Sequence, residues 1–184
     1  MATVVVVDLE TLGLKNYSPL LTIGACAIDL ETGNELHFEQ HIALGEEAVR
    51  SADPQTLLWW LAQSDAARMA IVNGQKNACG YASALQQFGD WLGLLKTSAW
   101  TIWGNNAEFD LGKLKYHAAL ECIPTPWNYR QERCYRTLNA IYGHLITQLE
   151  DMELSEGLVR HVALDDAIYE ARRLRLLLNR TLAG

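Results

Sequence analysis

The stretch VVVVDLETLG, Val4 to Gly13, decides how this chain is read. Four consecutive valines are β-branched, apolar and too few for a helix, so they predict a strand over residues 3–8 in the middle of a sheet. Side chains two apart on a strand share a face. Asp8 and Glu10 therefore aim two carboxylates at one place. Dry, unpaired charges are costly, so a cationic partner is expected there. Two divalent metal ions meet that need most economically, and they point to metal-dependent phosphoryl chemistry. The D-x-E spacing recurs at Asp29/Glu31 and Asp151/Glu153, so context must choose among the three. Asp29-Leu30-Glu31-Thr32 copies Asp8 to Thr11 letter for letter but runs into Gly33-Asn34, a hairpin turn. Asp151 and Glu153 fall in an acid-rich segment expected to be exposed.

Outward from that strand, residues 20–29 and 36–43 read as two more strands joined by a turn at Glu31 to Asn34, an antiparallel start. Asp53-Pro54 then opens a helix, with Asp53 as its N-cap. Helical pattern continues through residue 96, broken near NGQKNACG. A strand follows at 99–104 and a helix from about Ala107 to Leu120. A further helix is expected near 134–143, a polar loop over 147–160 and a final helix over 163–182. Strands first, then strands alternating with helices, imply an α/β fold with a mixed sheet and helices on both faces.

At 184 residues and 49% hydrophobic, the chain can bury one core, and a single domain over 1–184 is expected. The sequence has neither an eighteen-residue apolar run nor a leader-like start, so no membrane partner and a cytoplasmic location are expected. Cys26, Cys79, Cys122 and Cys134 form no C-x-x-C pair and read as free, mostly buried thiols. A net charge of −7 argues against a tight grip on long duplexes. It is softened by acids that metals would neutralise and by two arginine groups, Arg130/Arg133/Arg136 and Arg172/Arg173/Arg175/Arg180. A short single-stranded end suits this balance better.

Two further motifs carry chemistry. Asp110 shares the helix face of Ala107, Leu111, Leu114 and Ala118, so its carboxylate is expected to be buried and in need of a partner. Asn105 or Asn106 is the expected cap of that helix. His161 precedes Asp166 by five residues. Asp165 and Asp166 both stand in the first turn of the last helix, off its expected apolar stripe of Leu164, Ile168, Ala171 and Leu178, and helical periodicity does not choose between them.

In order, VDLETLG, NNAEFD and HVALDD resemble the motifs of the DEDDh exonucleases over residues 4 to about 175. The resemblance implies a ribonuclease H-like fold with a five-stranded mixed sheet flanked by helices. Its H-x(4)-D spacing selects Asp166 over Asp165. It also implies Asp8, Glu10, Asp110 and Asp166 as metal ligands and His161 as general base. Thr11 and Leu12 are implied at the terminal-nucleotide site. Asn106 and Phe109 are placed to approach sugar or base, and Trp59 to stack on bases, whereas Trp60 is expected in the core. TLLWWLAQSDAAR is also similar to a segment of small bacterial and phage members, including a 3'-5' exoribonuclease group.

The expected reaction is hydrolysis of terminal phosphodiesters of single-stranded DNA or RNA, or of 3' overhangs, releasing nucleoside 5'-monophosphates. Two Mg²⁺ or Mn²⁺ ions about 3.5–4 Å apart would assist it. Homodimers are common in such relatives, and the tryptophan-rich helices offer a surface for one. A metal-dependent endonuclease would need a basic duplex track. A non-catalytic binding module would be marked by a missing acid, and none is missing. No G-x-G-x-x-G follows the valine strand, which excludes a dinucleotide-binding oxidoreductase.

Overall fold

The computed structural model describes residues 3–95 and 99–182. β1 (Thr3–Thr11) carries the valine run and extends three residues past the predicted end, so both Asp8 and Glu10 lie within it. β2 (Leu20–Asp29) and β3 (Glu35–His41) complete the antiparallel start. The Asp29 carboxylate accepts from the backbone N–H groups of Glu31 and Thr32, which makes the second D-x-E a turn as expected.

Helices α1 (Glu46–Arg50), α2 (Pro54–Leu61), α3 (Asp65–Gly74) and α4 (Tyr81–Leu92) follow. Asp53 caps α2 by accepting from Gln55 and Thr56 N–H. The expected end of this helical region, at residue 96, lies outside the described residues. β4 (Trp100–Gly104) leads into α5 (Ala107–Leu120), capped by Asn106. Next come β5 (Glu132–Cys134), α6 (Tyr135–Tyr142), α7 (Gln148–Leu154) and α8 (Ala163–Leu182).

Several expectations change here. β5 has no counterpart in the sequence reading, because three residues leave no alternation to read. The polar stretch 147–160 is not all loop: Thr147 and Glu150 form a capping box that starts α7. Asp151 and Glu153 lie toward solvent as expected, and Asp151 also accepts from the Tyr169 hydroxyl at 2.8 Å and pairs with Arg173 at 2.7 Å.

Among the described residues the sheet has five strands in the order β3-β2-β1-β4-β5, with β1, β4 and β5 parallel. The parity of β1 organises the core. Val5, Val7 and Leu9 face the layer of α4 and α5, packing with Phe88, Leu111 and Leu114. Val4 and Val6 face α8, packing with Ala167, Ala171 and Leu174. Asp8 and Glu10 continue that second row. The buried stripe of α8 runs through Ala163, Ala167, Glu170, Ala171, Leu174 and Leu177 rather than through Leu164 and Leu178, which are only half-buried. Of the free thiols, Cys26 alone is buried, while Cys122 is exposed. No helix among the described residues is long and apolar enough to cross a membrane.

Candidate active site

The carboxylates meet where the parallel strands β1 and β4 end, the side of an α/β sheet where ligands usually bind. Two glycines make the meeting possible. Gly24 pairs with Asp8 across β1 and β2, and a Cβ there would lie 2.2 Å from the Ala163 carbonyl carbon. The start of α8 therefore descends onto the sheet beside Asp8, bringing Asp166 with it. Gly104 ends β4, and a Cβ there would stand 2.7 Å from Oδ2 of Asp110. The same oxygen accepts from the Asn106 N–H at 3.0 Å.

Ligand oxygens of Asp8, Glu10 and Asp166 lie within 4.8 Å of one another. Asp110, 2% exposed, adds its charge to the same group. Asp165 points elsewhere, accepting from Val159 N–H, while Asp166 accepts from His161 N–H at 2.8 Å. His161 adopts φ +64°, a left-handed backbone unusual outside glycine, and its ring stands edge-on to Trp59 at 4.9 Å.

Burial, with repulsion from its neighbours, holds the Asp8 carboxyl well above the usual carboxylate range. Burial pushes Glu10 up to about 8, aided by Asp166 and Asp110. Asp110 rises to about 7 through burial, opposed by the Asn106 N–H, Arg136 and Lys113. Asp166 is also raised by burial. Desolvation lowers His161, against the pull of Asp166. Acids this crowded and this dry cannot all ionise unless a cation joins them. Oε1 of Glu10 is buried with no hydrogen-bond partner among the described residues. An oxygen-only set with an open buried acceptor fits a hard divalent cation.

The surrounding cleft is lined by Thr11, Leu14, Trp59, Asn106, Phe109, Arg136, Arg160 and Tyr135, among others. Of the residues expected at the substrate, Thr11, Asn106, Phe109 and Trp59 line it. Leu12 does not: it packs with Leu21, Trp60 and Ala67, and the exposed Leu14 takes the rim instead. The Trp60 indole explains this, for it donates to Thr11 O at 2.9 Å and fixes the strand end against α2. Trp60 is buried as expected, and Trp59 is exposed.

The second arginine group is not a phosphate track. Arg172, Arg173 and Arg180 are paired to Glu35, Asp151 and Glu150, and Arg175 donates to Leu30 O. Arg136 and Arg160 are the exposed bases at the cleft, Arg160 lying 3.4 Å from Asp166. Lys113 is a further residue that sequence reasoning does not single out. Fully buried, it donates to Gly13 O at 2.9 Å and to Lys15 O, and sits over the Phe109 ring at 4.6 Å. It ties the loop after β1 to α5.

The mixed five-stranded sheet, with the carboxylates gathered where its parallel strands end, is a ribonuclease H-like fold of the kind found in DEDDh nucleases. Cell-death related nuclease 4 (CRN-4) shares the fold with a TM-score of 0.67 and 16% identity, over 97% of this chain and 64% of that one. The chain thus spans just under two thirds of that nuclease. The nuclease domain of 3'hExo, a DEDDh family member bound to rAMP, aligns with a TM-score of 0.64 and 12% identity, over 97% of this chain and 92% of that one. No curated protein sequence matches the chain. Residues 3–178 match the 3'-5' exoribonuclease Rv2179c-like domain, and the chain belongs to that family of nucleases.

Proposed function

We propose that the protein is a divalent-cation-dependent 3'-5' exonuclease that trims single-stranded ends, with RNA the first substrate to test, and releases nucleoside 5'-monophosphates. The convergence of Asp8, Glu10 and Asp166 beside Asp110, with a buried acceptor left open, carries this reading. These four acids hold the cations, two by analogy with phosphodiester chemistry generally. Bound cations would supply charge neutralisation at the phosphodiester and an acidified water.

His161 accepts the proton of the attacking water. Its lowered basicity keeps it neutral near pH 7. The Asp166 carboxylate anchors the His161 backbone N–H, and the Trp59 ring packs edge-on against the imidazole. Phe109 and Trp59 offer apolar faces to the terminal bases, and Arg136 and Arg160 offer charge to the next phosphates. The small number of exposed bases at the cleft among the described residues suits a grip on a few nucleotides rather than on a long duplex.

The test uses 5'-labelled single-stranded RNA and DNA with Mg²⁺, Mn²⁺ or chelator, beside Asp8→Ala. A ladder shortening one nucleotide at a time, needing metal and lost in the variant, is expected, and the faster polymer names the substrate. Absence of trimming on both polymers, with Mn²⁺ still bound, would move the substrate to short or modified nucleotides. Absence of both trimming and metal binding would leave a nucleic-acid or partner-binding module.

A further inference from the structure

The acidic centre contains a fifth carboxylate. Glu170 lies one turn after Asp166 on α8 and is 6% exposed. Its Oε1 accepts from the Asn105 side-chain amide, while Oε2 is buried with no hydrogen-bond partner among the described residues. Its charge is felt by Asp8, and it in turn feels Asp110 and Asp166. It lines the same cleft as the four acids.

A glutamate that served only packing at this depth would have donors on both oxygens. The neighbouring bases are engaged elsewhere. Arg173, one turn on, donates to Asp151, Tyr135 and Asn139, and Arg160 pairs with Asp166. The donor that Glu170 does have is a fixed one. Asn105 gives its Nδ2 to Glu170, while its Oδ1 accepts from Arg136 Nε at 3.3 Å and its carbonyl from Arg136 N–H at 3.0 Å. Rotating that amide would lose both side-chain contacts at once, so the carboxylate is held in place with one oxygen left open.

We propose that Glu170 is a positioning acid of the cation centre, adding negative charge and an open acceptor oxygen behind Asp8, Glu10, Asp110 and Asp166 and so tightening divalent-cation binding. This rests on the reading of those four acids as a cation site. It predicts a cost and a gain in the same residue: Glu170 strains the cation-free protein by repulsion and strengthens the loaded one.

The test is calorimetric titration of Mn²⁺ without nucleic acid into wild type, Glu170→Gln, Asn105→Ala and Asp8→Asn, with melting temperatures in chelator. Glu170→Gln keeps the volume and the contact to Asn105. It is expected to weaken Mn²⁺ binding about 10-fold, the scale of groups that support metal ligands, while raising the melting temperature in chelator. Asn105→Ala should weaken Mn²⁺ binding in the same direction by loosening Glu170. Wild-type Mn²⁺ affinity in Glu170→Gln, whether or not its melting temperature changes, overturns the proposal. If Asp8→Asn loses Mn²⁺ while Glu170→Gln keeps it, only the role of Glu170 fails. If wild type binds no Mn²⁺, the cation-site reading fails and takes Glu170 with it.

Discussion

With no cation bound, the protein should lose stability as pH rises, opposite to the trend of ordinary paired carboxylates. Glu10 and Glu170 sit at about 8 in the folded chain, and Asp110 at about 7, all above their unfolded values. A raised acid favours the protonated folded state. Its contribution is therefore fully present below the unfolded value, near pH 4, and is lost as pH climbs through the folded values, about 7 to 8. A tenfold difference in proton affinity between the folded and unfolded chain is worth about 1.4 kcal/mol, and a thousandfold difference about 4 kcal/mol. The three acids share one repulsive field, so their losses do not add in full and about 4 kcal/mol is the scale for the group. For a chain of this size that is a fall of about 8–16 °C in melting temperature between about pH 5 and pH 8.

Depressed acids lie outside the window, while His117 and His161, lowered by burial, oppose the fall only at its acid end, below the ordinary imidazole value. Glu150, held at about 2 by Arg180, and the lowered Asp29 and Glu35 contribute stability above their unfolded values and lose it only as pH falls toward their folded values. The assay is thermal melting in chelator across this range, repeated with saturating Mn²⁺. Mn²⁺ should flatten the profile and stabilise most at the alkaline end, because binding there displaces few protons. A chelated protein equally stable at both ends of the range, with no added benefit from Mn²⁺ at high pH, would refute the reasoning.

Other perturbations have equally definite outcomes. His161→Ala should lower the turnover rate by about 10²–10⁴-fold while Mn²⁺ affinity holds. The wild-type rate should fall as pH drops through the His161 value, which desolvation sets below that of an ordinary imidazole; pH–rate profiles check both. Gly104→Ala would put a methyl 2.7 Å from Asp110 Oδ2, and should cost about 1–3 kcal/mol in denaturant melts and weaken Mn²⁺ binding by displacing that acid. Lys113→Met should take one of two donors from each of the Gly13 and Lys15 carbonyls, leaving Thr11 Oγ1 on the first and the Ser18 N–H on the second, and should destabilise by about 1 kcal/mol, with faster proteolysis of the loop after β1.

The elements that position the acids are legible in the sequence because local signals and burial agree there. The valine run, the Asp53-Pro54 cap and the Asn106-capped helix bearing Asp110 each state their geometry within a few residues. What is not legible depends on contacts from far along the chain. The arginines of α8 look like a free basic cluster until Glu35, Asp151 and Glu150 fold onto them. Leu12 leaves the cleft because Trp60 pins the preceding carbonyl. Lys113 carries no motif at all, and its reach to the Gly13 and Lys15 carbonyls gives it a role. Two features do carry a readable sign. Thr147-x-x-Glu150 is a helix start, and Glu170 is a lone acid four residues after Asp166 on a helix whose neighbouring Ala167, Ala171 and Leu174 are apolar.

The most direct test of the central claim follows the label from the 3' end. Single-stranded RNA carrying its label on the 3'-terminal nucleotide is mixed with excess protein and Mn²⁺ and stopped within the first turnover. The label is expected to leave at once as a nucleoside 5'-monophosphate, and chelator or Asp110→Asn to abolish its release. Labelled oligomers as first products would show internal cleavage and contradict the exonuclease reading; release that persists in chelator would contradict the role given to the acidic centre.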